Sequence, residues 1–160
     1  MRVNRTLLRE KIMTILYQIY IYRKDNIKFN VNDVIKENVE IDNEFVNKIV
    51  NGVLEKEKEL DKLIDKYMIG WTTKRLGNID QAIFRMSVYE LLYYDTPNIV
   101  CINEGIELCK KYSDEKVTGL LNSVLDKIYD LEVKDEWTSS KCNWRQQIYK
   151  RPFYNGWIFK

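Results

Sequence analysis

The side chains that most often carry catalytic chemistry are sparse in this sequence. It contains no histidine, which excludes Ser–His and Cys–His nucleophiles and histidine metal sites. No glycine-rich phosphate-binding motif is present, and nothing in the sequence pairs its many carboxylates for acid/base work. Cys101 and Cys109 belong to no CxxC motif and fit small apolar packing residues better than metal ligands. We therefore expect a protein without enzymatic activity, cofactor or metal.

Basic side chains offer a different chemistry, the binding of an anion. Residues 1–24 hold six lysines and arginines against one acid, and residues 134–160 hold six against two. At about 100° per residue, Arg2, Arg5 and Arg9 fall within roughly 60° of one another on a helix and would form a basic ridge. This asymmetry favours a negatively charged partner, although basic termini are also common in proteins that bind no nucleic acid.

Helices are expected to position these side chains. The chain has 160 residues, 45% of them apolar, with two prolines and six glycines, which favours one all-α domain with its own core. Apolar residues recur every three or four positions from about 4 to 22, the pattern of an amphipathic helix on which Tyr17 faces the surface. A long helix is predicted to start at Asp42 as its N-cap and to break or bend near Gly52 or Leu60.

Two similar segments indicate two similar bundles. Residues 49–56 read IVNGVLEK and residues 120–127 read LLNSVLDK, with four identical positions. Each would lie in the closing helix of a three-helix set, with its Val-Leu pair in the core. The run at 79–94 is apolar on nearly every side and is expected to be a central, buried helix. The predicted fold is two three-helix bundles packed together, about seven helices in all.

The predicted organisation is a helical domain over 1–133 and an extension over 134–160. The extension is basic and holds three of the four tryptophans. Docking across the bundles, ligand binding and self-association are all open roles for it. No apolar run approaches the roughly 20 residues of a membrane span, and MRVNRTLLREK lacks the features of a signal peptide. We expect a cytoplasmic protein.

The second half of the chain carries a specific resemblance. The stretch LGNIDQAIFRMSVYELLYY, followed by TPNIVCINEGIELCKKYSDEKVTGLLNSVLDKI, resembles the NusB family of transcription antitermination factors. The resemblance extends in order and spacing over residues 5–131. It implies an all-helical fold of two perpendicular three-helix bundles and a function without catalysis.

The resemblance also implies partners. Family members bind the boxA element of nascent RNA together with NusE, a small-subunit ribosomal protein. They act with RNA polymerase and other Nus factors to promote read-through, notably in ribosomal RNA operons. Some members self-associate, so a homodimer is an open alternative here.

The resemblance further implies an RNA-binding surface made of basic and aromatic residues. Its arginines would neutralise phosphates, and its exposed tyrosines would stack on unpaired bases. Solvated helix ends, or a tyrosine that only covers a neighbouring helix, are the open alternatives. Asp80 matches an acidic family position that binds RNA or NusE, although the helix dipole alone also favours a carboxylate there. The candidate RNA-binding residues are Arg2, Arg5, Arg9, Tyr17, Lys110, Lys111, Tyr112 and Lys116.

Five further polar residues match family positions that we interpret as structural. Arg85 would lie on a buried helix and need a carboxylate partner. Glu90 or Glu104 is expected to supply it. Asn103 and Asn122 are expected to satisfy backbone groups where helices meet.

Two other functions are weighed against this interpretation. One is an RNA-targeting accessory domain of an enzyme, which is disfavoured because only 27 residues follow Val133. The other is a helical interaction module whose basic ends are incidental. Salt-sensitive RNA binding enhanced by NusE would separate the antitermination factor from this module.

Overall fold

The computed structural model describes residues 4–134, which form seven α-helices and no strand. Arg2 and residues 135–160, including nearly all of the predicted extension, lie outside the described residues. A 3₁₀ turn at Thr73–Arg75 precedes the fifth helix, and a π-helical turn at Tyr129–Val133 follows the last. The helices are α1 Arg5–Lys24, α2 Val31–Asn38, α3 Glu44–Glu55, α4 Glu57–Tyr67, α5 Asn78–Tyr93, α6 Asn98–Tyr112 and α7 Glu115–Ile128. The predicted all-α fold class is confirmed.

Short polar side chains begin several of these helices, because they accept backbone N–H groups that have no partner within the helix. Asn4 caps α1, Asn43 caps α3 and Asp114 caps α7. The sequence predicted Asp42 as the cap of α3, which is wrong by one residue. Asp42 instead accepts a hydrogen bond from Asn47 Nδ2 at 2.7 Å, which supports the first turn from outside the helix.

The long helix predicted from Asp42 is broken, as expected. Its two parts are α3 and α4, and the break falls at Lys56, between the two positions that the sequence indicated. Lys56 has φ −103° and ψ 16°, so it ends α3 and also precedes α4. This break lets α3 pack in the first bundle while α4 packs in the second.

The helices form two sets around a shared central helix. In the first set, α1 packs against α2 and α3; in the second, α5, α6 and α7 pack together, with α4 against α5 and α7. Helix α5 also contacts α1 and α3, and its residues 82–91 are all buried. Because α5 is enclosed by both sets, its apolar residues need no polar face, as the sequence predicted.

Two glycines let helices approach α5 closely. A Cβ at Gly52 in α3 would overlap the Tyr89 ring, and a Cβ at Gly105 in α6 would lie 2.6 Å from Ser87 Oγ. Both contacts are too short for a real side chain. Gly52 and Gly105 therefore set how near α3 and α6 lie to the central helix.

The two similar segments occupy corresponding places in the two sets. IVNGVLEK lies along the end of α3, and LLNSVLDK lies in α7. Val53, Val124 and Leu125 are fully buried, whereas Leu54 is only partly buried against the core. The prediction of matched core positions is thus met by the valines and only in part by the leucines.

Residues 4–134 contain no helix that is long and apolar enough to cross a membrane. The same residues contain no cluster of three or more cysteine or carboxylate side chains placed to hold a metal ion.

Candidate functional site

Arg5 presents its charge at the exposed start of α1. Its guanidinium carbon lies 4.2 Å from the centre of the Phe45 ring and 6.0 Å from that of Tyr94, and its Nη1 donates to Tyr94 Oη at 3.5 Å. No carboxylate of residues 4–134 forms an ion pair with it. The aromatic faces hold the guanidinium without neutralising it.

Arg9, one turn further along α1, points into the protein. It is only 3% exposed, and its Nε and Nη2 donate to the two carboxylate oxygens of Glu90 at 3.0 and 2.5 Å. Nη1 lies 3.8 Å from Glu104. Burial would lower the pKa of Arg9, but the hydrogen bond and the charges of these carboxylates raise it above its ordinary value. The predicted exposure of Arg9 on a basic ridge is wrong, because its guanidinium joins α1 to α5 and α6.

Arg85 has different partners from those expected. Its Nε and Nη2 donate to the two oxygens of Asp61 at 2.7 and 2.8 Å, and Nη1 lies 3.2 Å from Glu57. The expected pairing with Glu90 or Glu104 is wrong because Arg9 occupies those carboxylates. Arg85 therefore joins α5 to α4.

The end of α6 meets the start of α1 through Glu10, which accepts hydrogen bonds from Lys111 Nζ and Tyr112 Oη. These hydrogen bonds hold the pKa of the Glu10 carboxyl below its usual range, and the one from Lys111 raises the lysine pKa. Tyr112 remains 41% exposed. Lys110 pairs with Glu107 at 3.3 Å. Tyr112, Lys110 and Lys111 thus share one edge, where Glu10 and Glu107 balance part of the positive charge of the lysines.

The remaining candidates lie around this edge or along α1. Tyr17 is 38% exposed on α1, about 12 Å along the helix axis from Arg9. Asp80, in the first turn of α5, accepts from Ser113 Oγ at 2.6 Å and so fixes the turn between α6 and α7. Lys116, in the first turn of α7, has its Nζ 4.5 Å from the centre of the Trp71 ring.

Of the remaining residues interpreted as structural, Glu104 lies between helices, whereas the predicted hydrogen bond of Asn103 Oδ1 is not formed within residues 4–134. Glu104 accepts from Thr6 Oγ1 at 3.1 Å as well as pairing with Arg9, so it links α6 to α1. Asn103 Oδ1 is buried and has no hydrogen-bond partner within residues 4–134. Asn122 is partly buried in α7.

Sequence reasoning missed three residues that shape the site. Glu10 is the single acid in the basic segment 1–24, and no sequence motif indicates that it contacts α6. Tyr94 and Trp71 were each one aromatic among many, and their place beside Arg5 and Lys116 depends on contacts between distant elements. Such contacts leave no periodic pattern in a sequence.

The two packed helical sets and this edge define the class: an all-α protein that presents basic and aromatic side chains where α1, α6 and α7 meet. The model of the family described as the NusB family matches residues 6–130. A transcription antitermination protein NusB from Clostridium perfringens (strain 13 / Type A) is 36% identical over 132 residues, covering 79% of this chain and 97% of the relative. Another from Ruminiclostridium cellulolyticum is 34% identical over 138 residues, covering 84% and 94%.

Solved structures agree with this result. T. maritima NusB aligns with a TM-score of 0.74 at 27% identity, covering 85% of this chain and 97% of that one. A crystal structure of the antitermination factors NusB and NusE in complex with dsRNA contains a chain that aligns with a TM-score of 0.64 at 29% identity, covering 79% and 96%. The chain belongs to the NusB family of transcription antitermination proteins.

Proposed function

We propose that this protein is a transcription antitermination factor that binds boxA-type RNA together with the ribosomal protein NusE. It acts in the cytoplasm with RNA polymerase and other Nus factors and promotes read-through in ribosomal RNA operons. Residues 1–133 form its RNA-binding domain, and residues 134–160 are an extension. Family membership supports this role, as does the solved complex of NusB and NusE with dsRNA.

The observation that carries the proposal is the exposed guanidinium of Arg5, which lies over aromatic rings and forms no ion pair within residues 4–134. A phosphate can bind there without displacing a carboxylate. Arg2, known from the sequence alone, would extend the same end of the chain. Arg9 is not part of this surface, because Glu90 holds it in the interior.

The second part of the proposed surface is the edge formed by α6 and the start of α7. Lys110, Lys111 and Lys116 would meet phosphates, while Tyr112 and Tyr17 would stack on unpaired bases. Asp80 would accept from a base edge or from NusE. Since Glu10 balances part of the charge at Lys111, we expect modest affinity for RNA alone and a clear gain with NusE.

Fluorescence anisotropy of labelled boxA-type RNA tests the proposal directly. The full-length protein is titrated into the RNA with and without NusE, at two salt concentrations, with a scrambled RNA of equal length as control. We expect tighter binding to the boxA-type RNA when NusE is present, and weaker binding at high salt because phosphate contacts release counterions. Equal binding to both RNAs would contradict recognition of boxA, and the absence of salt-sensitive binding enhanced by NusE would leave only a helical interaction module.

A further inference from the structure

A tryptophan contacts two exposed cations where the loop after α4 approaches the start of α7. The guanidinium carbon of Arg75 lies 3.9 Å from the centre of the Trp71 ring, and Lys116 Nζ lies 4.5 Å from it. Lys74, next to Arg75, is also exposed. We refer to Trp71, Lys74, Arg75 and Lys116 as the Trp71 cluster. Only Lys116 belongs to the surface proposed above.

The positive charge of the Trp71 cluster is not balanced by ion pairs. Within residues 4–134, no carboxylate lies within ion-pair distance of its three cations, whereas Lys110 and Lys111 both have acidic partners. Two acidic residues of the neighbouring elements accept other hydrogen bonds. Asp65 accepts from the backbone N–H and the hydroxyl of Thr73 at 2.7 and 2.9 Å, and Asp114 caps α7. The positive charge of the cluster is therefore available to an anion, whereas Glu10 balances part of the charge at Lys111.

The loop that carries the cluster is held in one conformation. Besides the contacts of Asp65 with Thr73, Gln81 Nε2 donates to the backbone oxygens of Thr73 and Leu76 at 2.9 and 3.1 Å. The Trp71 ring is partly buried and packs against the core. A ligand that binds here does not have to order the backbone first. Arg75 and Lys116 lie over the Trp71 ring, so at least one of these side chains has to move before a base can stack on it.

Lys116 links the Trp71 cluster to the start of α7, which follows the end of α6 in the chain. Lys116 lies four residues after Tyr112, and the intervening turn is fixed by the hydrogen bond from Ser113 to Asp80. Since Lys116 also lies against Trp71, we expect a strand of RNA that crosses Tyr112 to extend towards Lys116 and the Trp71 ring. At single-stranded nucleic-acid sites, cations that follow the backbone are combined with aromatic rings that stack on bases.

We propose that the Trp71 cluster is a further contact site for single-stranded RNA. Lys74, Arg75 and Lys116 bind its phosphates, and the Trp71 indole stacks on one unpaired base once a cation moves from the ring to a phosphate. This inference rests on the proposed function, and it adds three residues to the RNA surface. It extends that surface from α6 across the start of α7 to the 3₁₀ turn.

The test measures the affinity of labelled boxA-type RNA for the full-length protein in the presence of NusE, over a series of salt concentrations. The double substitution Lys74→Gln/Arg75→Gln should weaken binding. It should also make the negative slope of log K against log salt less steep by about 1.4, since each phosphate contact to a single strand contributes about 0.7 to its magnitude. The matched control, Lys36→Gln on α2, removes one exposed cation from the other helical set and should leave both quantities unchanged.

Substitutions of Trp71 separate stacking from charge. Trp71→Leu should weaken RNA binding about fivefold or more, also at high salt, whereas Trp71→Phe should retain most of the affinity because it keeps an aromatic face. Thermal unfolding of each variant verifies that it is folded. If Trp71→Leu unfolds, the RNA affinities of Trp71→Phe and Lys74→Gln/Arg75→Gln are compared instead. Retained affinity in Trp71→Phe together with weaker binding by the double variant supports the inference, and equal affinities in the two variants contradict it.

The outcomes distinguish this inference from the proposed function. If the wild type binds RNA in a salt-sensitive way and all cluster variants bind it with the same affinity, the inference is overturned and the proposed function remains intact. A loss of affinity for NusE with unchanged affinity for RNA would also overturn it, because the cluster would then be a protein contact. Failure of the wild type to bind RNA would overturn the proposed function and this inference together.

Discussion

Arg5 and Arg9 lie one helical turn apart on α1, yet they face different surroundings. Arg5 is exposed over Phe45 and Tyr94, while Arg9 is enclosed by Glu90 and Glu104. Sequence spacing correctly predicted that both arginines lie on one side of α1. It could not show that α5 and α6 cover Arg9 but leave Arg5 exposed. Burial of a charge is decided by packing between distant segments, and a carboxylate partner has to be present there.

Replacing each arginine by alanine should therefore give opposite results. Arg9→Ala leaves the Glu90 carboxylate buried without its positively charged partner, with only the hydrogen bond from Thr96 remaining within residues 4–134, and should lower the free energy of unfolding by about 3–5 kcal/mol. Arg5→Ala should leave the free energy of unfolding nearly unchanged and make the negative slope of log K for RNA against log salt less steep by about 0.7. Chemical denaturation and RNA titration measure the two effects. A stable Arg9→Ala protein would contradict the structural role of this ion pair.

A second effect at the residue scale concerns Asp126 in α7. Burial, together with the charge of Asp130, raises the pKa of its carboxyl to about 6. The folded state therefore binds this proton more tightly than the unfolded state, and the associated stability is lost as the pH rises from about 4 through 6. Asp126→Asn should raise the melting temperature at pH 7.5, and this gain should shrink as the pH falls to 4.5. Thermal unfolding at several pH values tests this; a gain independent of pH would contradict it.

At the scale of elements, packing against α5 sets the positions of α3 and α6. The apolar run at 79–94 and the repeated Val-Leu segments were sufficient to predict the central helix and the two closing helices. The cap of α3 and the exact break at Lys56 were not predictable to the residue, because neighbouring polar residues have similar capping preferences. The roles of Gly52 and Gly105 depend on Tyr89 and Ser87, which no local pattern connects to them.

Alanine at these glycines should show which of them set a helix contact. Gly105→Ala would force Ser87 and α6 apart and should lower the free energy of unfolding by about 1–3 kcal/mol, with a similar loss for Gly52→Ala against the Tyr89 ring. Gly119 in α7 is the matched control, since a Cβ there meets no atom within 4 Å. Gly119→Ala should raise the stability by about 0.5–1 kcal/mol. Denaturant unfolding of the three variants measures the differences, and equal effects at all three positions would contradict the role of close packing.

At the scale of the whole molecule, the fold class and family could be predicted from the sequence because they depend on long apolar periodicities and an extended motif. The arrangement of charged and aromatic side chains on the proposed RNA surface could not be predicted from the sequence. The edge at α6 owes its partial neutrality to Glu10, and the Trp71 cluster brings a loop after α4 to the start of α7. Both come from segments that are far apart in the chain. Burial removes Arg9 from the proposed RNA surface, and our inference adds the Trp71 cluster to it.

Transcription in vitro on a template with a boxA element before a terminator tests the central claim most directly. The reaction contains RNA polymerase, NusE, the other Nus factors and either the wild type or the folded Arg5→Ala variant, and the read-through product is quantified. The account predicts that the wild type increases read-through only when boxA is present and that Arg5→Ala increases it much less. Read-through that does not respond to the wild type, or that responds equally to Arg5→Ala, would contradict it.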